Sequence, residues 1–221
     1  MRLEKASYKA IKYACLKFHY AKAIPNVGLA YNVFNNEEEW CGVICFGIGA
    51  TNNIGKPYKL SQGQIIELVR MALNGKQEST TKAMSIAIRL VKKDAPNVKM
   101  IVSYADSEQG HLGVIYQATN WYYTGFSIDT NLIVNGKREH RRTLGSRFGT
   151  CSAEAIRKKG YKVEILKTKP KYKYIYPLSK KLIPLCKELS KPYPKQAVEV
   201  HKLNSSQSGE KVGGANPTQP L

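Results

Sequence analysis

The hydrophobic and polar positions in the first half of the chain predict an ordered series of helices and strands. Apolar residues recur every three or four positions in residues 4–18, which predicts an amphipathic helix. Residues 28–36 and 38–50 have the pattern of two strands joined by a polar turn, an antiparallel hairpin. Residues 65–73 form an apolar segment that fits either a strand or a helix. Residues 80–93 place their apolar side chains on one face of a long helix, preceded by residues suited to helix capping.

The second half of the chain continues with strands separated by helices. Residues 98–105 carry a β-branched run that predicts a buried strand, and residues 109–118 fit a short helix. Further strands are predicted at 121–127, 130–136 and 161–167, with a helix at 152–160 that Gly160 caps. Strands that alternate with helices after a hairpin indicate an α/β fold.

Length and composition indicate one globular domain followed by a tail. A chain of 221 residues with 43% hydrophobic content can bury a substantial core, and no second core is apparent. We expect the domain to span residues 1–203 and residues 204–221, which are poor in apolar side chains, to form a flexible, disordered tail. No apolar stretch reaches the roughly 20 residues that cross a bilayer, so we expect an intracellular protein without a membrane partner.

The five cysteines predict packed, reduced thiols. They form no CxxC pair and lie mostly in apolar segments, which argues against a structural zinc site. Cys41 and Cys45 are four residues apart in a predicted strand. That spacing predicts that both side chains lie in the core on the same face of the sheet.

An acid at the end of a strand and a nearby tyrosine mark a candidate site. Asp106 follows the predicted strand 98–105, at the edge where binding crevices open in α/β sheets. Tyr116 lies about two and a half turns into the following helix and is expected to point back toward Asp106. The alternative is a core strand followed by a surface acid.

The charge distribution predicts a polyanionic partner. The chain has 35 Lys and Arg against 16 Asp and Glu, a net charge of +19. Between Lys137 and Lys181 there are fifteen basic and three acidic residues, a net charge of +12. Nucleic acid is the intracellular polyanion that such a field favours.

Basic side chains in this region are candidate phosphate contacts. KTKPKYKYIY places lysines on one side of an extended segment and tyrosines on the other, although a solvated edge strand with lysines that block pairing has the same pattern. HRRTLGSRFG is a basic loop suited to a duplex backbone, and the 117–123 segment offers an amide and aromatic rings for a flipped base. The candidate DNA contacts are Arg141, Arg142, Arg147, Lys169, Lys171, Lys173, Asn120 and Trp121.

The order of predicted elements resembles the GNAT acyltransferase fold. LVRMAL before the loop and long helix is similar to the fourth strand of that family, and Asp106 to Trp121 to its fifth strand and following helix. The resemblance implies a single mixed central sheet flanked by helices and an acetyl-CoA or related acyl-CoA donor. In GNAT enzymes the loop before the long helix holds a pyrophosphate, and here the matching positions are Gly75, Ser79, Thr80 and Thr81 of GKQESTT, without the family's spaced glycines.

A narrower resemblance covers most of residues 10–178. The long run SYADxxQGHxGxIYQATNWxYTG from Ser103, together with His19-Tyr20 and KYIYPL, is similar to the phage Mom DNA-modification proteins. The resemblance implies that the enzyme places a carbamoylmethyl group on the exocyclic amine of adenine in double-stranded DNA. It also implies protection of phage DNA from restriction in the cytoplasm of the bacterial host. The site residues that it implies are Ser103, Asp106, Tyr116, Arg70, His19 and Tyr20.

The chemistry of this transfer assigns hypothetical roles to these residues. An exocyclic amine is a poor nucleophile, so Asp106 is a candidate base and Tyr116 a candidate acid or donor-orienting group. Arg70 is suited to hold a carboxylate or phosphate. Each has an alternative: Arg70 as a surface strand residue, Tyr116 as a core aromatic and His19 as a helix-end cap. His19, Tyr20 and Asp106 also form an acceptable ligand set for iron.

Two other functions fit parts of the pattern. A GNAT acyl-CoA-dependent N-acetyltransferase that acts on a small amine or a protein would bind coenzyme A and need no DNA. A non-catalytic DNA-binding protein would explain the charge, but it leaves Asp106, Tyr116 and Arg70 without a purpose.

Overall fold

A computed structural model describes residues 1–49, 51, 53–127, 130–139, 141–167 and 169–195. The strands are β1 (Arg2–Lys5), β2 (Leu29–Phe34), β3 (Trp40–Gly47), β4 (Ile65–Leu73), β5 (Met100–Asp106), β6 (Tyr122–Ser127), β7 (Thr130–Val134), β8 (Lys137–Glu139), β9 (Val163–Lys167) and β10 (Lys171–Pro177). The helices are α1 (Tyr8–Lys17), α2 (Thr80–Asp94), α3 (Val114–Ala118), α4 (Arg141–Phe148), α5 (Ala153–Lys158) and α6 (Ile183–Leu189). The predicted tail, residues 204–221, lies outside the described residues.

Seven strands form one mixed sheet in the order β1-β2-β3-β4-β5-β10-β6. Neighbouring strands are antiparallel except for β4 and β5, which are parallel. One face packs against α2, whose predicted apolar face is buried throughout. The other face packs against α1 on one half of the sheet and α6 on the other half. The predicted α/β fold, a mixed central sheet flanked by helices, is therefore confirmed.

The sheet opens between its two parallel strands. β4 and β5 pair only from Ile65 with Met100 to Glu67 with Val102. Beyond that point β4 continues beside β3 and β5 continues beside β10. A register shift in β4 leaves Val69 as an extra residue. The two halves of the sheet therefore separate and leave room for side chains between them.

A second, three-stranded sheet lies between β6 and β10 in the chain. Its order is β8-β7-β9, and it packs with α4 and α5 around a core of its own. That core consists of Leu132, Val134, Leu144, Phe148, Ile156 and Val163. The expectation of no second core was wrong, because these apolar residues are scattered through a highly basic segment. We call residues 130–167 the basic lobe.

Two predicted elements have different bounds. The predicted helix at residues 4–18 begins only at Tyr8, where Ser7 caps it, because residues 2–5 pair with β2. Residues 109–118 form an α-helix only from Val114, after a 3-10 turn at Ser107–Gln109 and Gly113 in the left-handed conformation. Residues 65–73, which the pattern left open, form a strand.

The edge-strand interpretation of KTKPKYKYIY was wrong. β10 lies inside the sheet and pairs with β5 on one side and β6 on the other. Its alternation is as predicted, since Tyr172, Tyr174 and Tyr176 all pack on the α2 side of the sheet.

Cys41 and Cys45 are both buried, but on opposite faces of the sheet. Opposite Val33 and Phe34, strand β3 carries Cys41 as an extra residue, which reverses the alternation of side chains there. The same-face prediction was therefore wrong. In the part of the chain that the structure describes, no helix has both the length and the apolar character needed to cross a membrane.

Candidate active site

A cavity of about 670 Å³ fills the opening between β4 and β5. Its walls come from both strands, the start of α2, the segment leading into α3 and the residues after α1. Seven of the predicted site residues line it: His19, Tyr20, Arg70, Thr80, Thr81, Asp106 and Tyr116. The structure thus brings together residues that are far apart in the sequence.

Tyr116 and Ser103 form a directed hydrogen-bond chain at the base of the opening. Ser103 Oγ lies 2.9 Å from the carbonyl oxygen of Leu68 and 2.8 Å from the Tyr116 hydroxyl. Ser103 Oγ is the donor in both contacts, to the Leu68 carbonyl and to the Tyr116 hydroxyl. The Tyr116 oxygen therefore accepts in this bond, and its own proton is not used in it. This chain connects the two strands where they separate.

Burial raises the pKa of Tyr116 to about 12. The phenol is therefore protonated at neutral pH and can donate a hydrogen bond or a proton. The ring packs against Trp121 and Tyr174, with centroid separations of 5.1 and 5.0 Å. Tyr116 is thus a packed aromatic and a cavity residue at the same time, so the two interpretations of this position do not compete.

Asp106 ends β5 and turns its carboxylate toward the segment after α1. Its Oδ1 accepts from the Glu108 backbone N–H at 3.0 Å, and its Oδ2 accepts from the Tyr20 hydroxyl at 3.3 Å. These two contacts orient the carboxylate. Burial, followed by the Asp106 charge, raises the pKa of Tyr20, so the hydroxyl keeps its proton as a donor.

His19 is neutral, and a backbone hydrogen bond determines which of its ring nitrogens carries the proton. Burial, with the positive charge of Arg70 next in importance, lowers its pKa to about 4. Its Nδ1 accepts from the Ala21 backbone N–H at 3.1 Å, so the ring proton lies on Nε2. The ring packs against Tyr20 with a centroid separation of 4.2 Å. His19 therefore presents a hydrogen-bond donor, and it is not only a helix-end cap.

Arg70 supplies the positive charge of the cavity. It follows the extra residue Val69 in β4, and its Nη1 donates to the Val69 carbonyl at 3.1 Å. Its Nε is buried without a hydrogen-bond partner among the described residues. A partly buried guanidinium with an unused N–H is suited to hold a carboxylate or phosphate, and that role of Arg70 stays a prediction.

The loop before α2 contributes unevenly to the cavity. Ser79 caps the helix, with its Oγ accepting from the Lys82 N–H at 3.2 Å. Thr80 and Thr81 line the cavity in the first helical turn. Gly75 has φ +88° and an exposed backbone, and it does not border the cavity. Of the four predicted cofactor positions, two therefore border this cavity.

Gln77 and His111 are among the cavity residues that the sequence analysis missed. Gln77 donates from Nε2 to Thr80 Oγ1 at 2.9 Å, while its buried Oε1 lacks a partner among the described residues. His111 packs edge-on against Tyr20 at 5.9 Å. His111 lies within the QGHxG run that carried the resemblance, which was a usable signal. Nothing in the pattern distinguished Gln77 from a loop residue.

The Mom protein family model matches residues 1–195. The chain belongs to the Mom family. Its relative, the methylcarbamoylase mom of Escherichia phage Mu, is 29% identical over 133 residues, 58% of this chain and 55% of the relative. The match thus spans about half the length of that relative.

Similar solved structures are acetyltransferases. An acetyltransferase of Bacillus subtilis in complex with CoA has a TM-score of 0.43 and 13% identity, covering 80% of this chain and 99% of that chain. A chimera of the spermidine N-acetyltransferase from Vibrio cholerae has a TM-score of 0.45 and 10% identity, covering 82% of this chain and 99% of that chain.

The hypothetical iron site does not fit this Mom-family chain. His19 Nε2 carries the proton, because Nδ1 accepts from a backbone N–H, so neither ring nitrogen offers a lone pair to a metal. The Tyr20 hydroxyl donates a hydrogen bond to Asp106 and stays a neutral phenol, which is a poor metal ligand. The described residues contain no group of three His, Cys, Asp or Glu that could hold a metal ion. The iron hypothesis is therefore not supported.

Three predicted DNA contacts of the Mom-family chain have structural partners instead. Trp121 is fully buried, so stacking on a base was a wrong prediction. Arg147 donates to the buried Glu139 at 2.7 Å, with its guanidinium over Phe148. The Lys173 Nζ lies 5.1 Å from the centre of the Tyr58 ring, and burial lowers its pKa.

The other predicted contacts remain predictions. Asn120 and Lys169 are exposed, and Lys171 is partly buried. Arg141 and Arg142 begin α4, so the predicted loop is partly helical. Arg141 and Arg142 belong to the basic lobe, Lys169 lies between β9 and β10, and Lys171 begins β10.

Proposed function

We propose that this protein transfers a carbamoylmethyl group to the exocyclic amine of adenine in double-stranded DNA. The observation that carries the proposal is the convergence of Asp106, Tyr116, Arg70, His19 and Tyr20 on one cavity in a Mom-family chain. The relative named methylcarbamoylase supports the chemistry, and the net charge of +19 supports a nucleic-acid substrate. The product would protect phage DNA from restriction in the cytoplasm of the bacterial host.

Asp106 acts as the base for the amine. Adenine leaves the base stack to reach the cavity, because the amine is inaccessible to an enclosed site in the duplex. As the bond from the amine nitrogen to the transferred carbon forms, one N–H proton passes to the Asp106 carboxylate. The hydrogen bonds from Tyr20 and the Glu108 N–H hold that carboxylate in place.

Tyr116 is the proton donor for the leaving group. It is protonated at neutral pH, and its oxygen accepts a hydrogen bond from Ser103. Its own proton would pass to the departing group, and the bond from Ser103 would hold the phenol oxygen in place and stabilise the negative charge that forms on it. Arg70 neutralises negative charge that develops on the donor, with the Nε2–H of His19 as a further donor.

The start of α2 suits an acyl-CoA or related donor. The helix has fifteen residues, and its first turn borders the cavity through Thr80 and Thr81. N–H groups in the first turn of a helix have no partners within the helix, and together with the helix dipole they attract phosphate. Transfer of a simple acyl group would give an amide and not a carbamoylmethyl amine. The donor held by these residues would therefore carry the carbamoylmethyl group on a leaving group, and the bond between its CH2 carbon and that leaving group would break as the bond to the amine forms.

Mass analysis of nucleosides tests the proposal directly. Plasmid DNA from bacteria that express the protein should contain a new modified deoxyadenosine, with the other three nucleosides unchanged. Bacteria that express Asp106→Asn at the same level serve as the control. Unmodified deoxyadenosine in the wild-type sample contradicts the proposal. Acetyl-CoA turnover on small amines without DNA would instead identify an N-acetyltransferase, although the charge of +19 opposes capture of cationic amines.

A further inference from the structure

Helix α1 turns a basic and aromatic face away from the sheet. Its buried residues, Ile11, Ala14 and Cys15, pack on the sheet. The opposite side bears Lys9, Lys12, Tyr13, Leu16 and Lys17, all exposed, around a shallow groove of about 390 Å³. We call these five residues the α1 outer face.

The charge of the α1 outer face is uncompensated. Helix α1 contains no acidic residue. None of the ion pairs among the described residues involves its three lysines. Three lysines on successive turns with no acidic residue on the same helix give a local positive field that attracts an anionic partner.

The aromatic part of this face is held in place. Tyr13 is 54% exposed, yet its ring contacts Phe18 and Trp40 at centroid separations of 5.8 Å each. Trp40 is itself fixed, because its Nε1 donates to Asn32 Oδ1 at 2.9 Å. A half-exposed ring that packs against the protein on its other side can stack on a sugar or a base with little loss of side-chain entropy.

The α1 outer face leads directly to the candidate active site. His19 and Tyr20 follow the helix within three residues of Lys17, and both line the cavity. Lys9 and Lys17 are separated by about 12 Å along the helix axis. That distance matches about three to four nucleotide steps of one DNA strand.

We propose that the α1 outer face holds the backbone of the DNA strand next to the adenine that enters the cavity. Lys9, Lys12 and Lys17 contact phosphates, and Tyr13 packs against a sugar or base. The inference rests on the proposed function. A second copy of the chain is a poorer occupant, because the same lysines would face each other across the interface.

Two matched triple variants test this surface. The first is Lys9→Ala, Lys12→Ala and Lys17→Ala in α1. The control is Arg89→Ala, Lys92→Ala and Lys93→Ala in α2, which removes three exposed charges from a helix on the opposite face of the sheet. Alanine favours helix, so both variants should fold. The measurement is the affinity for a short labelled duplex, by fluorescence anisotropy, at several salt concentrations.

The α1 variant should bind the duplex on the order of tenfold or more weakly, with a salt slope lower by about two to three. The control should lose much less, although both variants have the same net charge. Replacing the three lysines with arginines should restore binding. Equal losses in the two triple variants, or dimerisation of the wild type that depends on the three lysines, would overturn the proposal.

The outcomes separate this inference from the proposed function. If the wild type modifies deoxyadenosine and the α1 variant binds DNA normally, the surface is wrong and the function stands. If the wild type modifies no DNA but the α1 variant alone binds more weakly, the surface stands and the function is wrong. A wild type that binds no duplex overturns both.

Discussion

At the scale of single residues, the site depends on protons whose positions are determined by their neighbours. Ser103 Oγ donates toward the Leu68 carbonyl and the Tyr116 hydroxyl, so the Tyr116 oxygen is the acceptor of that bond. The Ala21 N–H similarly places the His19 proton on Nε2. Asp106 is the cavity carboxylate that both a phenol and a backbone N–H orient. The donors and the acceptor are therefore arranged before any substrate enters.

Asp106→Asn and Tyr116→Phe should each abolish adenine modification. Both changes nearly preserve shape, but Asn does not accept a proton and Phe does not donate one. Loss of a positioned acid or base lowers rates by a factor of about 100 to 10,000. Nucleoside mass analysis gives the activity, and thermal unfolding together with duplex binding should remain close to those of the wild type. A folded Asp106→Asn protein with normal activity would remove Asp106 as the base.

The loop that carries His111 requires glycine at position 113 for two reasons. Gly113 has φ +79°, and a Cβ there would lie 2.4 Å from the Tyr174 ring. Gly110 has φ +71° but no atom within 4 Å of a Cβ, so it is a matched control. Gly110→Ala should cost about 1 kcal/mol from strain alone. Gly113→Ala should cost clearly more, seen as a larger fall in Tm, and equal falls would contradict the contact with Tyr174.

The low pKa of His19 makes the stability of the fold depend on pH. Its pKa falls from 6.5 to about 4 on folding, so the unfolded chain binds more protons between these values. The stabilisation is fully present above about pH 6.5 and is lost as the pH falls toward 4. We expect Tm to fall more steeply over this window in the wild type than in His19→Asn. Parallel pH profiles of the two proteins would show that His19 has no such shift.

At the scale of elements, the periodicity of apolar residues predicted which segments are helices and strands. It did not predict the order of the strands in the sheet or the positions of their extra residues. The apolar face of α2 and the strand identity of β5 were predictable, because each buries a regular pattern of side chains. The position of β10 inside the sheet was not predictable. Lysines and tyrosines alternate in the same way in an edge strand and in a strand that pairs on both sides, as β10 does. The extra residue Cys41 in β3 was not predictable either, because a strand has nearly the same composition with and without one extra residue.

The candidate site was predictable in part for the same reason. Asp106 and Tyr116 lie close in sequence, at the end of a strand and in the next helix. Their meeting with His19 and Tyr20 depends on the separation of β4 from β5, which no local pattern encodes. A resemblance to a family supplied those residues, whereas Gln77 had no such signal.

The basic lobe contains an ion pair between Arg147 and Glu139. Substitutions in this pair test whether Arg147 is a structural arginine or a DNA contact. Glu139 is 6% exposed at its side chain and accepts from Arg147. Arg147→Ala leaves this carboxylate buried without its partner, which should cost about 1 to 3 kcal/mol. The double variant Arg147→Ala, Glu139→Gln should recover part of the lost Tm. If Arg147→Ala instead weakens duplex binding at unchanged Tm, Arg147 is a DNA contact as the sequence predicted.

At the scale of the whole molecule, exposed basic residues lie on the α1 outer face, on α2 and in the basic lobe. Part of the basic charge is used internally, as with Arg147 and Lys173. The α1 outer face lies beside the cavity, whereas the sequence placed the DNA contacts mainly in residues 137–181. Binding of a duplex to both regions would spread phosphate contacts over a large area and give a steep salt dependence.

Removal of residues 204–221 should leave all of these properties unchanged. The segment has one Glu and one Lys, so its removal leaves the net charge at +19. Its composition, rich in Gly, Ser and Pro, buries little apolar area, so it should add nothing to the core. The shortened chain 1–203 should match the full chain in Tm, adenine modification and the salt slope of duplex binding. A lower salt slope or lost modification in the shortened chain would assign this segment a role in DNA binding that its charge does not predict.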